Sequence, residues 1–141
     1  MEESPGYARG DPVSKTHKIK NILVVDDDPT MTAMLAKVLK DNKFQVKTVN
    51  EAVEGLEYAM THKPDLIILD VMMPIVNGYN FCRLIKQEQA QKDIPVLLLT
   101  ARDQLKDIEI GLEMGAEAYL TKPLNTEELL KTIKVIESSE K

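Results

Sequence analysis

Ile22-Leu23-Val24-Val25-Asp26-Asp27-Asp28-Pro29 changes character twice within one short stretch. The apolar run does not alternate with polar residues, as it would in a strand with one wet face. It therefore suits a strand buried on both faces of a parallel sheet. The acids that follow mark the strand's end. Asp28-Pro29 then reads as a helix N-cap followed by proline at the first helical position, where a missing N–H costs nothing. Strand, acidic turn and helix together make one βα unit.

The same succession recurs along the chain. Short apolar runs lie near residues 21–25, 45–49, 65–69, 95–99 and 117–120, separated by longer amphipathic segments. The run at 45–49 (Gln-Val-Lys-Thr-Val) alternates, which predicts an edge strand. Helical spacing links Met31, Met34, Leu35, Val38 and Leu39, then Val53, Leu56, Ala59 and Met60. Phe81, Leu84 and Ile85 mark a third helix; Leu105, Ile108 and Leu112 a fourth; Leu129, Leu130, Ile133 and Ile136 a fifth. Lys63-Pro64 stops the second helix and Gly115 the fourth, while Asn125 with Glu128 caps the last. Five such units with right-handed crossovers predict a single (βα)₅ domain, a doubly wound parallel sheet. Residues 19–138 form that domain, 1–18 a disordered arm without periodicity, and 139–141 a polar tail.

Composition narrows the function. The chain has 141 residues, enough for one domain with a modest core. A formal net charge of −5 argues against a nucleic-acid surface, which needs clustered Lys and Arg. Cys82 is the single cysteine, so an internal disulfide is excluded. It falls beside Phe81, Leu84 and Ile85 on an apolar helix face and reads as a reduced core thiol. No run approaches the roughly 18 apolar residues of a membrane span, and no signal peptide is visible. A cytoplasmic protein without direct membrane contact is expected.

Four of the predicted strands end on chemistry. Asp26-Asp27-Asp28, Asp70, Thr100 and Lys122-Pro123 each follow an apolar run. In a parallel sheet all carboxyl ends lie along one edge, so these residues should converge there. Singly, each has an ordinary reading: Asp28 as a cap, Asp70 as a turn residue, Thr100 as a cap, Lys122 as a solvated lysine. Together, carboxylates, a hydroxyl and an ammonium at one place suit a divalent cation and a phosphoryl group. Within such a site Asp70 could be a cation ligand, a general base or a nucleophile.

The motifs VVDDD at 24–28, LDVMMPIVNG at 69–78, LLLTA at 97–101 and GAEAYLTKP at 115–123 resemble the receiver domain of two-component response regulators. The likeness spans roughly residues 20–137 and extends to chemotaxis regulators. It implies a flavodoxin-like strand order 2-1-3-4-5. Asp70 would be the phosphoacceptor, and Mg²⁺ would be bound by Asp27, Asp70 and the backbone carbonyl of Met72, with Asp26 acting largely through metal-bound water. Lys122 would pair with the acceptor and then with the phosphoryl group, and its bond to Pro123 would be cis. Thr100 would turn toward the phosphoryl oxygens, letting Tyr119 rotate inward and reshaping the face formed by the fourth helix, fifth strand and fifth helix. Met72 and Arg102 would shield the phosphoryl group from water. The implied partners are a sensor histidine kinase or histidine phosphotransfer protein and a downstream output domain or protein. The domain would be a monomer or a phosphorylation-dependent dimer. It would be a signalling phosphoacceptor that catalyses only its own phosphoryl transfer and dephosphorylation.

Two rival readings remain at this level. Asp26-Asp27-Asp28-Pro29-Thr30 also fits D-x-D-x-T, the first motif of haloacid-dehalogenase-type phosphatases, with Asp26 as nucleophile and Asp28 as acid–base. That family needs a further acidic strand end beyond the lysine, and the segment after Lys122 reads as a single helix. The other rival is an interaction module of the same fold that never meets phosphate.

Overall fold

The computed structural model describes residues 18–73, 77–101, 110 and 112–139. The five strands are β1 (Asn21–Val25), β2 (Gln45–Val49), β3 (Leu66–Asp70), β4 (Val96–Ala101) and β5 (Ala118–Lys122). The helices are α1 (Pro29–Asp41), α2 (Ala52–His62), α3 (Gly78–Gln87) and α4 (Thr126–Ser139), the last being the fifth that the sequence predicts. All strand pairings are parallel and the order is β2-β1-β3-β4-β5. The doubly wound, flavodoxin-like topology is therefore as expected. β3 is buried at every position, whereas edge strand β2 buries only Val49 fully.

Successive strand residues feed opposite faces, and each face has its own core. Leu23, Val25, Ile67, Leu69, Val96 and Leu98 meet Ala59, Phe81, Cys82 and Ile85 of α2 and α3. Ile22, Val24, Leu66, Ile68, Leu97 and Leu99 meet Leu35, Leu39, Leu129, Ile133 and Ile136 of α1 and α4. Each fully buried aliphatic side chain contributes roughly 1.5–3 kcal/mol, which is why the three central strands are continuously apolar. The Cys82 thiol lies in the first of these cores, where burial pushes its pKa up to about 11 despite nearby Lys86. It is protonated at neutral pH, as a core thiol should be.

Three apolar positions depart from the predicted stripes. Met34 and Val53 are exposed because α1 turns Thr32, Leu35 and Leu39 inward and α2 turns Ala52, Gly55 and Ala59 inward. Small residues win on α2 because the helix lies so close to β1: a Cβ on Gly55 would sit 2.9 Å from Val25 Cγ2. Leu112 is also exposed, and Met114 takes the core-facing place instead. Leu105 and Ile108 of the same predicted helix lie outside the described residues, as do residues 1–17 of the predicted arm.

The predicted boundaries have visible causes. Asp28 Oδ1 accepts the Thr30 N–H at 3.0 Å, with Pro29 at the helix start. Asn125 Oδ1 accepts the Glu128 N–H at 3.0 Å. Lys63 ends α2 in the left-handed region, and Gly115 has φ +103° where the fourth predicted helix stops. No helix among the described residues is long and apolar enough to cross a membrane.

Candidate phosphoryl and cation site

The sheet brings the strand-end residues to one edge, with a small shift from the expected positions. Asp70 and Lys122 are the closing residues of their strands and Thr100 the last but one of its own, so none of the three follows its strand. Asp70 pairs in register with Leu99, Thr100 with Thr121, and Ala101 with Lys122. Val71 N–H extends the ladder by donating to Leu99 O at 3.0 Å. Beyond β1, the Asp26 N–H likewise donates to Val49 O at 3.1 Å. Asp70 and Asp26 are thus held by sheet hydrogen bonds, which are among the stiffest supports a fold offers.

Asp26, Asp27 and Asp70 offer carboxylate oxygens that all lie within 4.8 Å of one another. Asp26 and Asp70 are buried and Asp27 is exposed at the rim. Lys122 Nζ lies 3.3 Å from Asp26 Oδ2 and 3.3 Å from Asp70 Oδ1. Three carboxylates against one ammonium leave a negative cluster. Burial and then the neighbouring Asp26 charge raise the Asp70 pKa to about 6, against the opposing pull of Lys122. Burial works to lower the pKa of Lys122, but Asp70 and Asp26 outweigh it and the net direction is upward.

Two features of the chain suit a cation and a phosphoryl group here. The donor set is all carboxylate oxygen, the choice of hard ions such as Mg²⁺ and not of soft metals. Thr100 Oγ1 is buried and has no hydrogen-bond partner among the described residues. Buried hydroxyls are nearly always satisfied, so this one is poised for a group that arrives later.

The other expected site residues are placed as follows. The Met72 N–H donates to Asp70 Oδ1 over a long 3.4 Å, and its side chain is 58% exposed beside the site. Tyr119 is 42% exposed, so its ring is turned toward solvent. The Lys122–Pro123 bond is cis. Arg102 lies outside the described residues. Asp28 does not join the carboxylate cluster; its side chain is occupied in capping α1. That removes the acid–base which a haloacid-dehalogenase-type phosphatase would require.

Two supports of this site were not assigned a role from sequence. Asn50, after β2, donates from Nδ2 to Asp26 O at 2.8 Å and contacts Thr32 Oγ1 at 3.1 Å. Gly78 approaches so near to β3 that an added Cβ would fall 2.7 Å from both Asp70 O and Val71 Cα. Residue type alone signals the second, since only glycine permits such contact. No local signal identifies the first.

Residues 22–134 match the family described as response regulator receiver domain. The chain belongs to this family. Receiver domains are the phosphoacceptor modules of two-component signalling, and this is the class of function assigned to the chain. The receiver is 40% identical over 117 residues to the alkaline phosphatase synthesis transcriptional regulatory protein PhoP of Bacillus subtilis, covering 83% of this chain and 48% of that protein. Against the solved structure of chemotaxis protein CheY4 of Vibrio cholerae the TM-score is 0.79 at 32% identity, covering 84% of this chain and 99% of that one. The receiver domain of a signal transduction histidine kinase from Syntrophus aciditrophicus gives 0.78 at 35% identity, covering 84% and 90%. The chain spans about half the length of the curated relatives it matches.

Proposed function

We propose that this receiver takes a phosphoryl group onto Asp70 from a phosphohistidine on a sensor histidine kinase or histidine phosphotransfer protein. The observation that carries the reading is the arrangement around Asp70: a buried carboxylate, a shared ammonium at 3.3 Å and a buried hydroxyl with no partner among the described residues. An Asp70 carboxylate oxygen attacks phosphorus, the P–N bond breaks, and the imidazole leaves as a neutral base once it regains a proton. Lys122 moves from the acceptor carboxylate to the phosphoryl oxygens. Thr100 donates its hydroxyl to another of them. Mg²⁺, held by Asp26, Asp27, Asp70 and the Met72 carbonyl, would supply neutralising charge to the phosphoryl oxygens. Phosphoryl transfer is mainly positioning and charge stabilisation, so these groups suffice.

The exposed Tyr119 and the buried Thr100 hydroxyl support a switch at the same site. Thr100, drawn to the phosphoryl group, vacates space into which exposed Tyr119 rotates. The surface beside β5 and α4 then changes shape for a downstream output domain or protein. This is a two-state element biased by a local charge change. Met72, and Arg102 with it, restricts water at the phosphoryl group and lengthens its lifetime. The domain acts in the cytoplasm, as a monomer or a phosphorylation-dependent dimer. It turns over no substrate apart from its own phosphoryl group.

Intact mass after incubation with Mg²⁺ and acetyl phosphate tests the reading. A single phosphoryl gain that requires both Mg²⁺ and Asp70, and is lost in Asp70→Ala, is expected. A gain that survives Asp70→Ala, or none in the wild type, would overturn the assignment of Asp70 and leave a phosphate-independent interaction module.

A further inference from the structure

We propose that Asn50 is a positioning residue for the cation ligands, pinning the peptide that joins Asp26 to Asp27. This inference rests on the cation reading above. Asn50 Nδ2 is 2.8 Å from the Asp26 carbonyl oxygen and 3.1 Å from Thr32 Oγ1. Thr32 is itself buried and donates its hydroxyl to Pro29 O at 3.1 Å, so the amide is anchored at a fixed point of α1. The Asp26 carbonyl shares a rigid plane with the Asp27 nitrogen. Holding that oxygen fixes the rotation of the plane, and with it the N–Cα bond about which the Asp27 side chain can swing.

Asp27 needs such help more than its neighbours do. The Asp26 carboxylate is buried, accepts the Asp28 N–H at 2.9 Å and meets Lys122. The Asp70 carboxylate is buried and meets both Lys122 and the Met72 N–H. Asp27 is exposed, and no hydrogen bond or ion pair to the described residues restrains its carboxylate. Its place among the three ligands therefore depends on its backbone. That backbone is tied ahead of Asp27 by Asn50 on the Asp26 carbonyl and after it by the Asp28 N–H on Asp26 Oδ1. Residues that orient a metal ligand typically contribute 10–100-fold in affinity. A contact to the ligand's peptide, one step further from the oxygen, belongs at the lower end, about tenfold.

Calorimetric titration of the full chain with magnesium chloride, without phosphoryl donor, tests this directly. Asn50→Ala and the near-isosteric Asn50→Leu should bind Mg²⁺ about tenfold more weakly than wild type. Thr32→Val, which removes the amide's anchor on α1 but leaves the carbonyl contact in place, should lose less, about two- to threefold. Metal-free melting temperatures should fall in both Asn50 variants, because the buried Asp26 carbonyl loses its partner, so affinities are compared on fully folded protein well below the transition. Unchanged Mg²⁺ affinity in both Asn50 variants would overturn the proposal. So would an equal loss in Thr32→Val, which would mean general loosening of the turn. A wild type that fails to bind Mg²⁺ would overturn the cation reading itself, before any variant is compared.

Discussion

Lys122 Nζ and Asp70 Oδ1 stand 3.3 Å apart, closing a contact between residues 52 positions apart in the chain. The pairing is incomplete, because the same ammonium lies equally close to Asp26 Oδ2. One cation thus serves two buried carboxylates. The shortage appears at Asp70, where burial and the Asp26 charge together exceed what half of a lysine can offset. A site left short of positive charge is well suited to recruit more of it.

That shortage should appear as a pH-dependent cost. The Asp70 carboxyl has a pKa of about 6 in the folded chain against an ordinary 3.8, so the folded state holds its proton over that window. Folded stability therefore falls as pH rises through the window and stays lowered above it. Without Mg²⁺, Asp70→Asn should be more stable than wild type by about 1–2 kcal/mol near pH 7.5, after discounting for the water at the rim. Near pH 4 the two should be about equal. Urea unfolding followed by circular dichroism in the presence of a chelator measures both. Equal stability at the higher pH would show that Asp70 is not under strain.

Removing the shared cation should separate binding from chemistry. Lys122→Met leaves Asp26 and Asp70 facing each other with no positive charge between them. Mg²⁺ then meets less electrostatic competition and should bind as tightly as in wild type or several-fold more tightly. Phosphorylation by acetyl phosphate should nevertheless slow by about a hundredfold, the scale on which a preorganised donor contributes to a transition state. Calorimetry and intact mass read the two quantities. A parallel loss of both would mean that Lys122 only holds the site together.

Gly78 tests how tightly the strand that carries Asp70 is held from behind. A methyl group there would lie 2.7 Å from Asp70 O and Val71 Cα, and both are backbone atoms with no rotamer to yield. The Gly78 N–H also donates to Val71 O at 2.9 Å, so the helix start cannot withdraw without losing that bond. Gly78→Ala should lower stability by about 1–3 kcal/mol. It should also depress phosphorylation of the folded fraction, because the displaced backbone carries Asp70. Wild-type stability and rate together would show that α3 can retreat freely.

Much of this architecture was legible because its causes are local. An unbroken apolar run such as Leu66–Leu69 ending on Asp70 names both a central strand and the side chain at its carboxyl end. Parallel topology then gathers Asp26, Asp70, Thr100 and Lys122 without further information. Contacts set by tertiary distance were not legible. Lys86 Nζ reaches Ile94 O at 2.7 Å and Glu117 Oε2 at 2.9 Å, and Glu117 in turn accepts the Val96 N–H, tying the starts of β4 and β5 together. Nothing local in the sequence marks either residue. Asn50 is hidden for the same reason, being 24 positions from the carbonyl it holds. Met34 and Val53 show a different limit: an apolar stripe wider than the buried face does not say which edge will remain wet.

Thr100 carries the prediction that most directly joins structure to switching. Its buried Oγ1 has no partner among the described residues, and an unmade hydrogen bond of this kind costs about 1–3 kcal/mol. Replacing the hydroxyl by a methyl group in Thr100→Val should therefore stabilise the unphosphorylated protein, by about 1 kcal/mol. The phosphorylated protein should behave in the opposite way. On the proposed chemistry the phosphoryl oxygens satisfy the hydroxyl in wild type, so phosphorylation should raise the melting temperature; in Thr100→Val that rise should shrink. Comparing the two proteins in both states isolates the coupling between side chain and phosphoryl group from any general effect of the substitution. An equal rise in both would mean that the hydroxyl never meets the phosphoryl group. The inward movement of Tyr119 would then need another trigger.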